Sequence, residues 1–216
     1  MLGRTSFHAG IACFVLLLAV AIPVAATSLD ILVIIPPRHS MSSEFFPLIE
    51  GLEEAGAHVD VASYQTGPYE FDGTYVAHSG ADDTFEVVLT YDSIRVDDYD
   101  ALILGPGHAH TMWYPSEGLD TVKALLEEAV HTHKLIGGVS YGAVHLIASG
   151  LIDGRSVCSA PHYRGIVSLV AHIERFLSTF DVSYVNECVY VDETSVPMVI
   201  TAQRDLGGTG RQGRKG

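Results

Sequence analysis

Basic residues are scarce in this chain: 12 Lys and Arg stand against 26 Asp and Glu, for a formal net charge of −14. Phosphate binding wants a basic surface, so this balance argues against a nucleic-acid partner. Acidity of this size mainly favours solubility. Charged residues are few altogether, at 18%, while apolar residues reach 48%. That ratio excludes a disordered chain and supplies a core. At 216 residues, one domain is the default. Cysteine is rare as well, with three residues. Cys13 lies in the N-terminal segment, which leaves Cys158 and Cys188: enough for one bridge, or for two buried thiols.

What the chain does have is one long apolar run at its start. Arg4 gives a positive beginning, Ala9 to Ala26 is rich in Leu, Val and Ala, and Val24-Ala25-Ala26 places small residues just before Thr27. This pattern reads as a signal peptide over residues 1–26. The mature chain is then expected to be exported, periplasmic or secreted, with no stable membrane association after cleavage. An uncleaved anchor ranks second, because the run is short for a bilayer and Pro23 lies near its end. No cysteine follows the run, so lipid attachment there has no support. In an exported chain a Cys158–Cys188 disulfide would persist.

The mature region alternates buried strands with amphipathic helices. Asp30 to Pro36 is a short apolar run that reads as a fully buried strand. Ser43 reads as the N-cap of a helix whose Phe45, Phe46, Leu48, Ile49, Leu52 and Ala55 recur at helical spacing, and Gly56 stops it. His58 to Ala62 alternates as a second strand. A strand–helix–strand unit predicts a parallel sheet. Residues 63–98 carry turn signals around the β-prone stretches Thr74 to Ala77 and Phe85 to Thr90, which reads as a hairpin-like excursion at the sheet edge. Tyr99 to Leu104 and Leu135 to Val139 are further core strands, with a helix over Asp120 to His131 between them. A short helix from Tyr141 ends at Gly150. Arg155 to Ser159 is read as a strand, His162 to Thr179 as a helix, and Glu187 to Val191 and Val196 to Thr201 as closing strands. The sum is an α/β fold: a doubly wound, mostly parallel sheet. Ligands in such sheets sit beyond the carboxyl ends of the strands, which directs attention to loops 36–44, 105–110 and 138–142.

One of these loops carries Gly138-Val139-Ser140-Tyr141-Gly142, a Gly-x-Ser-x-Gly elbow between a buried strand and a helix. A nucleophile on such a turn is held on a strained backbone and exposed. The helix N-terminus beside it favours developing negative charge. A tight turn with a capping serine is the plainer alternative.

The resemblance to a family rests on four segments. They are Asp98-Tyr-Asp-Ala-Leu-Ile-Leu-Gly-Pro-Gly107, Lys134-Leu-Ile-Gly-Gly-Val-Ser-Tyr-Gly142, Ala148-Ser-Gly-Leu-Ile-Asp-Gly-Arg155, and Ser43-Glu44 spaced ahead of Ala55-Gly56. With these the chain resembles the ThiJ/PfpI superfamily, class I glutamine amidotransferase-like relatives that include the parkinsonism protein and intracellular proteases. The resemblance covers most of residues 30 to 203 and implies a flavodoxin-like domain over 27–203. It implies that Ser140 stands at the nucleophile, where the family usually has cysteine, and that Tyr141 stands where histidine often follows. It places the family's acidic residue at Glu44. Gly107 and Tyr141 correspond to the N–H donors for an oxyanion. Pro106 replaces a glycine of that loop and has no N–H to give.

A serine hydroxyl stays protonated near neutral pH and needs an explicit general base, unlike a thiolate. Glu44 serves if burial raises its pKa; His162, and His108 or His110, are the other choices. The redox role attached to the family cysteine does not carry over to Ser140. His108-Ala-His110 and His131-Thr-His133 resemble ligand pairs, but helix-end histidines are usually solvated, so no metal is expected, and no cofactor. Trp113-Tyr114 walls the pocket or simply packs. Residues 204–216 read as a flexible basic, Gly-rich tail where the family continues into a helix, as a truncated C-terminus would. Dimers are common in the resembling family, and a homodimer would cover the sheet that helix leaves bare.

Two functions follow as expectations. In the first, Ser140 attacks a small amide, ester or aldehyde, and the chain is a serine-dependent hydrolase or an amidase- or glyoxalase-like enzyme. In the second, the chain is a non-catalytic relative that binds a small ligand or serves in stress response. An α/β-hydrolase fits less well. Only 76 residues follow Ser140 (216 − 140 = 76), few for that fold's acid and histidine loops.

Overall fold

The computed structural model describes residues 28–38, 40–71, 84–107, 118–158, 179–185, 189–194 and 196–202. The expected signal peptide, the expected basic tail, Thr74 to Ala77, residues 162–178 of the helix expected over His162 to Thr179, and Cys188 lie outside the described residues.

The centre is a seven-stranded sheet. In chain order its strands are β1 (Asp30–Ile34), β2 (His58–Ser63), β5 (Leu89–Thr90), β6 (Ala101–Leu104), β7 (Leu135–Val139), β10 (Val189–Asp192) and β11 (Val199–Ala202). Their spatial order is β10-β11-β7-β6-β1-β2-β5. Every pairing is parallel except β10 with β11, an antiparallel hairpin at one edge. This is the α/β doubly wound, mostly parallel sheet that the strand–helix alternation predicts.

The helices are α1 (Ser42–Glu54), α2 (Leu119–His131) and α3 (Tyr141–Ala148). Strand side chains alternate between faces, and this sorts them. Ile31, Val33 and Ile35 pack with Phe45, Leu48 and Leu52 of α1. Leu32 and Ile34 pack with Val122, Leu125 and Leu126 of α2 and with Val144 and Ile147 of α3. Each core strand is therefore apolar on both faces, which explains the unbroken runs in the sequence. Each fully buried side chain of this kind contributes roughly 1.5–3 kcal/mol through burial.

Three expectations need correction. Helix α1 begins at Ser42, with Met41 rather than Ser43 in the N-cap position. The reason is that the Glu44 and Phe45 N–H groups both donate to the Met41 carbonyl, at 3.0 and 2.9 Å. In the excursion, Phe85 to Thr90 is not one strand: it divides between β4 (Thr84–Val87), which pairs antiparallel with β3 (Gly67–Glu70) and sets Tyr69 opposite Phe85, and β5. Phe71 packs against Phe45 at 5.0 Å between ring centroids, which ties the hairpin to α1. Finally, β8 (Arg155–Val157) does not join the central sheet. It pairs in parallel with β9 (Val182–Tyr184), a strand the sequence reading did not anticipate.

Candidate active site

The elbow joins β7 to α3, and its backbone is unusual. Ser140 has φ 56° and ψ −121°, a region that side-chain-bearing residues rarely occupy. Holding a residue there costs about 1–3 kcal/mol, so the surroundings must enforce it. They do so through two hydrogen bonds: the Ser140 N–H donates to the Ala202 carbonyl at 2.8 Å, and the Ala143 N–H donates to the Ser140 carbonyl at 3.2 Å. The Thr201–Gly138 and Ala202–Val139 register lays β11 beside the elbow to receive the first of these.

The two glycines of the motif are demanded by contact. A Cβ on Gly142 would lie 2.1 Å from the Leu104 carbonyl oxygen and 2.7 Å from that of Gly105. A Cβ on Gly138 would lie 2.6 Å from the Ala143 Cα. Their absence lets the first turn of α3 settle directly onto the end of β6. The elbow sinks with it. Ser140 is 3% exposed, and its Oγ is buried and has no hydrogen-bond partner among the described residues. The hydroxyl expected to be exposed is therefore enclosed.

The other two loops converge on the same edge. Strands β7, β6 and β1 are parallel neighbours, so their carboxyl ends lie side by side. Two strand spacings separate β1 from β7, about 10 Å. The Gly105 N–H donates to the Ile34 carbonyl at 2.8 Å, and the Ser40 hydroxyl donates to the Pro106 carbonyl at 2.7 Å. The Ser40 N–H in turn donates to the Tyr69 hydroxyl oxygen at 3.1 Å. These bonds fix loop 36–40 against loop 105–107. Gly107 is buried at the end of the second loop. Glu44 is 1% exposed in the first turn of α1, and Tyr141 is 5% exposed in the first turn of α3. Ser140, Tyr141, Gly107 and Glu44 thus lie at one end of the sheet. His162, His108, His110 and Trp113 lie outside the described residues.

The titratable groups nearby narrow the chemistry. His145 lies one turn along α3 from Tyr141. Its Nε2 is buried, although the residue as a whole keeps some exposure. Burial pushes its imidazole down to about 3, so it is neutral at ordinary pH and a poor proton acceptor. Burial also pushes the Tyr69 and Tyr91 phenols well above their ordinary range, so both stay protonated. The Tyr91 hydroxyl donates to the Ile35 carbonyl at 2.6 Å and steadies the end of β1. His131 and His133 are exposed at the end of α2. Among the described residues no three His, Cys, Asp or Glu side chains cluster as metal ligands.

A buried polar group that sequence reasoning missed lies behind the elbow. Arg155 Nη1 lies 3.2 Å from Asp192 Oδ1, with both side chains buried, and Arg155 Nη2 also donates to the Pro197 carbonyl. The Asp192 carboxylate further accepts from the Ser156 N–H at 2.6 Å and the Thr194 N–H at 2.9 Å. Burial alone would raise this carboxyl. The Thr194 hydroxyl, the two N–H donors and Arg155 outweigh it and hold the pKa below the ordinary value. The group ties β8 to the β10–β11 hairpin, whose Ala202 carbonyl holds Ser140. Cys158 completes the tie: its N–H donates to the Thr201 hydroxyl at 2.8 Å, and its Sγ lies 2.8 Å from the Thr201 carbonyl oxygen. The sequence signal was Arg155 within Ile152-Asp-Gly-Arg155, but nothing in the chain order pairs it with Asp192.

The model of the DJ-1/PfpI family matches residues 30–205. No curated protein sequence matches the chain. Among solved structures, a ThiJ/PfpI domain protein from Brachyspira murdochii is similar at a TM-score of 0.61 and 15% identity, over 83% of this chain and 89% of that one. The DJ-1beta protein of Drosophila melanogaster is similar at 0.61 and 20% identity, over 82% of each chain. Oxidized DJ-1 of Toxoplasma gondii is similar at 0.57 and 17% identity, again over 82% of each.

Proposed function

The chain belongs to the DJ-1/PfpI family, and from that premise we propose that it is an exported serine-dependent enzyme acting on a small amide, ester or aldehyde. The observation that carries the reading is the strained, buried Ser140 at a strand-to-helix elbow, its hydroxyl left without a partner. Strain and an unsatisfied polar atom both cost stability, and such costs gather at sites of chemistry.

In this mechanism the Ser140 Oγ forms a bond to the substrate carbonyl carbon while its proton passes to the Glu44 carboxylate. His162 is the alternative acceptor. The carbonyl oxygen becomes an oxyanion held by the Gly107 and Tyr141 N–H groups. For an ester or amide, the leaving group takes the proton as its bond to carbon breaks, and water then releases the acyl group. Glu44 suits the base role by its place: it is 1% exposed, at the same end of the sheet as Ser140. Export from residue 27 onward, with no lasting membrane attachment and with a homodimer as the assembled form, completes the proposal.

A second reading draws on the same burial. A nucleophile only 3% exposed is hard for substrate to reach. A family fold that carries serine and tyrosine where cysteine and histidine are usual suits a small-ligand-binding protein without turnover.

The deciding experiment is intact mass of the mature chain, from Thr27 onward, after treatment with a fluorophosphonate. A single adduct on wild type that is absent from Ser140→Ala supports the enzyme. No adduct on well-folded protein refutes an activated serine and supports the binding reading.

A further inference from the structure

A cleft of about 430 Å³ opens at the carboxyl ends of β1 and β2, beside the start of β3. Its size falls within the roughly 300–1,000 Å³ of small-molecule sites. Ser140 is not among its lining residues. Tyr69 lines the cleft, and its hydroxyl oxygen accepts from the Ser40 N–H, while the Ser40 hydroxyl donates to the Pro106 carbonyl.

Among the described lining residues two carry full charge, Arg38 and Glu70, and both are exposed. Among the described residues neither has an ion-pair partner. They therefore do not neutralise each other across the cleft. A free guanidinium is notable in a chain with net charge −14, where acidic partners are plentiful. Opposite charges held apart on one cleft match a ligand that itself holds opposite charges apart. The planar fork of Arg38 suits a carboxylate. The Glu70 carboxylate suits an ammonium. A dianion would gain from Arg38 what it loses against Glu70, so a phosphate monoester is disfavoured. Gln65 and Thr66 offer neutral donors and acceptors, and Pro68 offers an apolar surface.

We propose that this cleft binds a small zwitterion, an α-amino acid or a dipeptide, with its carboxylate on Arg38 and its ammonium on Glu70. The site is independent of chemistry at Ser140, and it stands whether or not that serine is active.

The test is calorimetric titration of the mature chain with the dipeptide Ala-Phe, its N-acetyl form and its C-terminal amide, and with free phenylalanine. Wild type, Arg38→Gln, Glu70→Gln and Ser140→Ala are compared, each checked by circular dichroism. The expected result is saturable binding of the uncapped dipeptide or the amino acid, weakened at least tenfold by capping either end. Arg38→Gln erases the preference for acid over amide, and Glu70→Gln erases the preference for amine over acetamide. Ser140→Ala binds like wild type, which also removes turnover from the measurement. The proposal is overturned by no saturable binding to folded protein, or by capped forms that bind as tightly as the uncapped one. It is equally overturned by binding that Ser140→Ala abolishes and Arg38→Gln leaves intact.

Discussion

Replacing Ser140 should make this protein more stable. Two costs meet at that residue. Its φ of 56° is strained for any side-chain-bearing residue, at about 1–3 kcal/mol. Its buried Oγ lacks a hydrogen-bond partner among the described residues, at about 1–3 kcal/mol for a desolvated hydroxyl. Ser140→Ala removes the second cost and keeps the first, since alanine still carries a Cβ. Taking the low end, the gain is about 1 kcal/mol. Ser140→Gly removes both, but glycine loses more freedom on folding, about 0.5–1 kcal/mol. The net gain for glycine is then about 1–3 kcal/mol. For a domain of this size each kcal/mol moves Tm by about 2–4 °C. The expected order of Tm is wild type, then Ser140→Ala, then Ser140→Gly. Thermal melts followed by circular dichroism, paired with urea titrations of unchanged slope, would read it. If Ser140→Ala melts at or below wild type, the hydroxyl is not an unsatisfied buried group. If glycine melts below alanine, the elbow backbone is not strained. Either result removes the observation on which the catalytic reading rests.

Two further outcomes follow from the packing behind the site. Asp192→Asn removes the buried carboxylate that faces the Arg155 guanidinium, and breaking such pairs costs about 3–5 kcal/mol. Because the folded Asp192 pKa is depressed, the unfolded chain binds the proton first as pH falls. Its contribution is therefore complete above the unfolded value near about 3.9 and is lost as pH drops through the lower folded value. Wild type should lose stability more steeply than Asp192→Asn below about pH 4, and parallel acid melts of equal slope would refute the assignment. Gly142→Ala places a Cβ 2.1 Å from the Leu104 carbonyl oxygen, a backbone contact that cannot rotate away. The variant should be insoluble or show a large loss in urea midpoint. A near-neutral result would mean that α3 does not rest on β6 as described.

The sequence by itself determined the layered fold and the place of the elbow. Strands buried on both faces must be apolar throughout, so Ile31 to Ile34, Ala101 to Leu104 and Leu135 to Val139 announce themselves without reference to any partner. The glycines of the elbow announce themselves too, because close backbone approach requires that residue and no other. Helix α1 was legible from its spacing, although its start was not: Met41 caps it with a backbone carbonyl, which leaves no side-chain mark in the sequence. Only the tertiary structure decided that β8 leaves the central sheet for β9, since a three-residue strand looks the same in either setting. Only the tertiary structure paired Arg155 with Asp192, 37 residues away, and set Arg38 and Glu70 on one cleft. The enclosure of Ser140 belongs to the same class. Residue identity fixes the strain a turn can bear and the chemistry a side chain can offer. How deeply α3 sinks onto β6, and so whether a hydroxyl meets water, is decided by contacts between segments far apart in the chain.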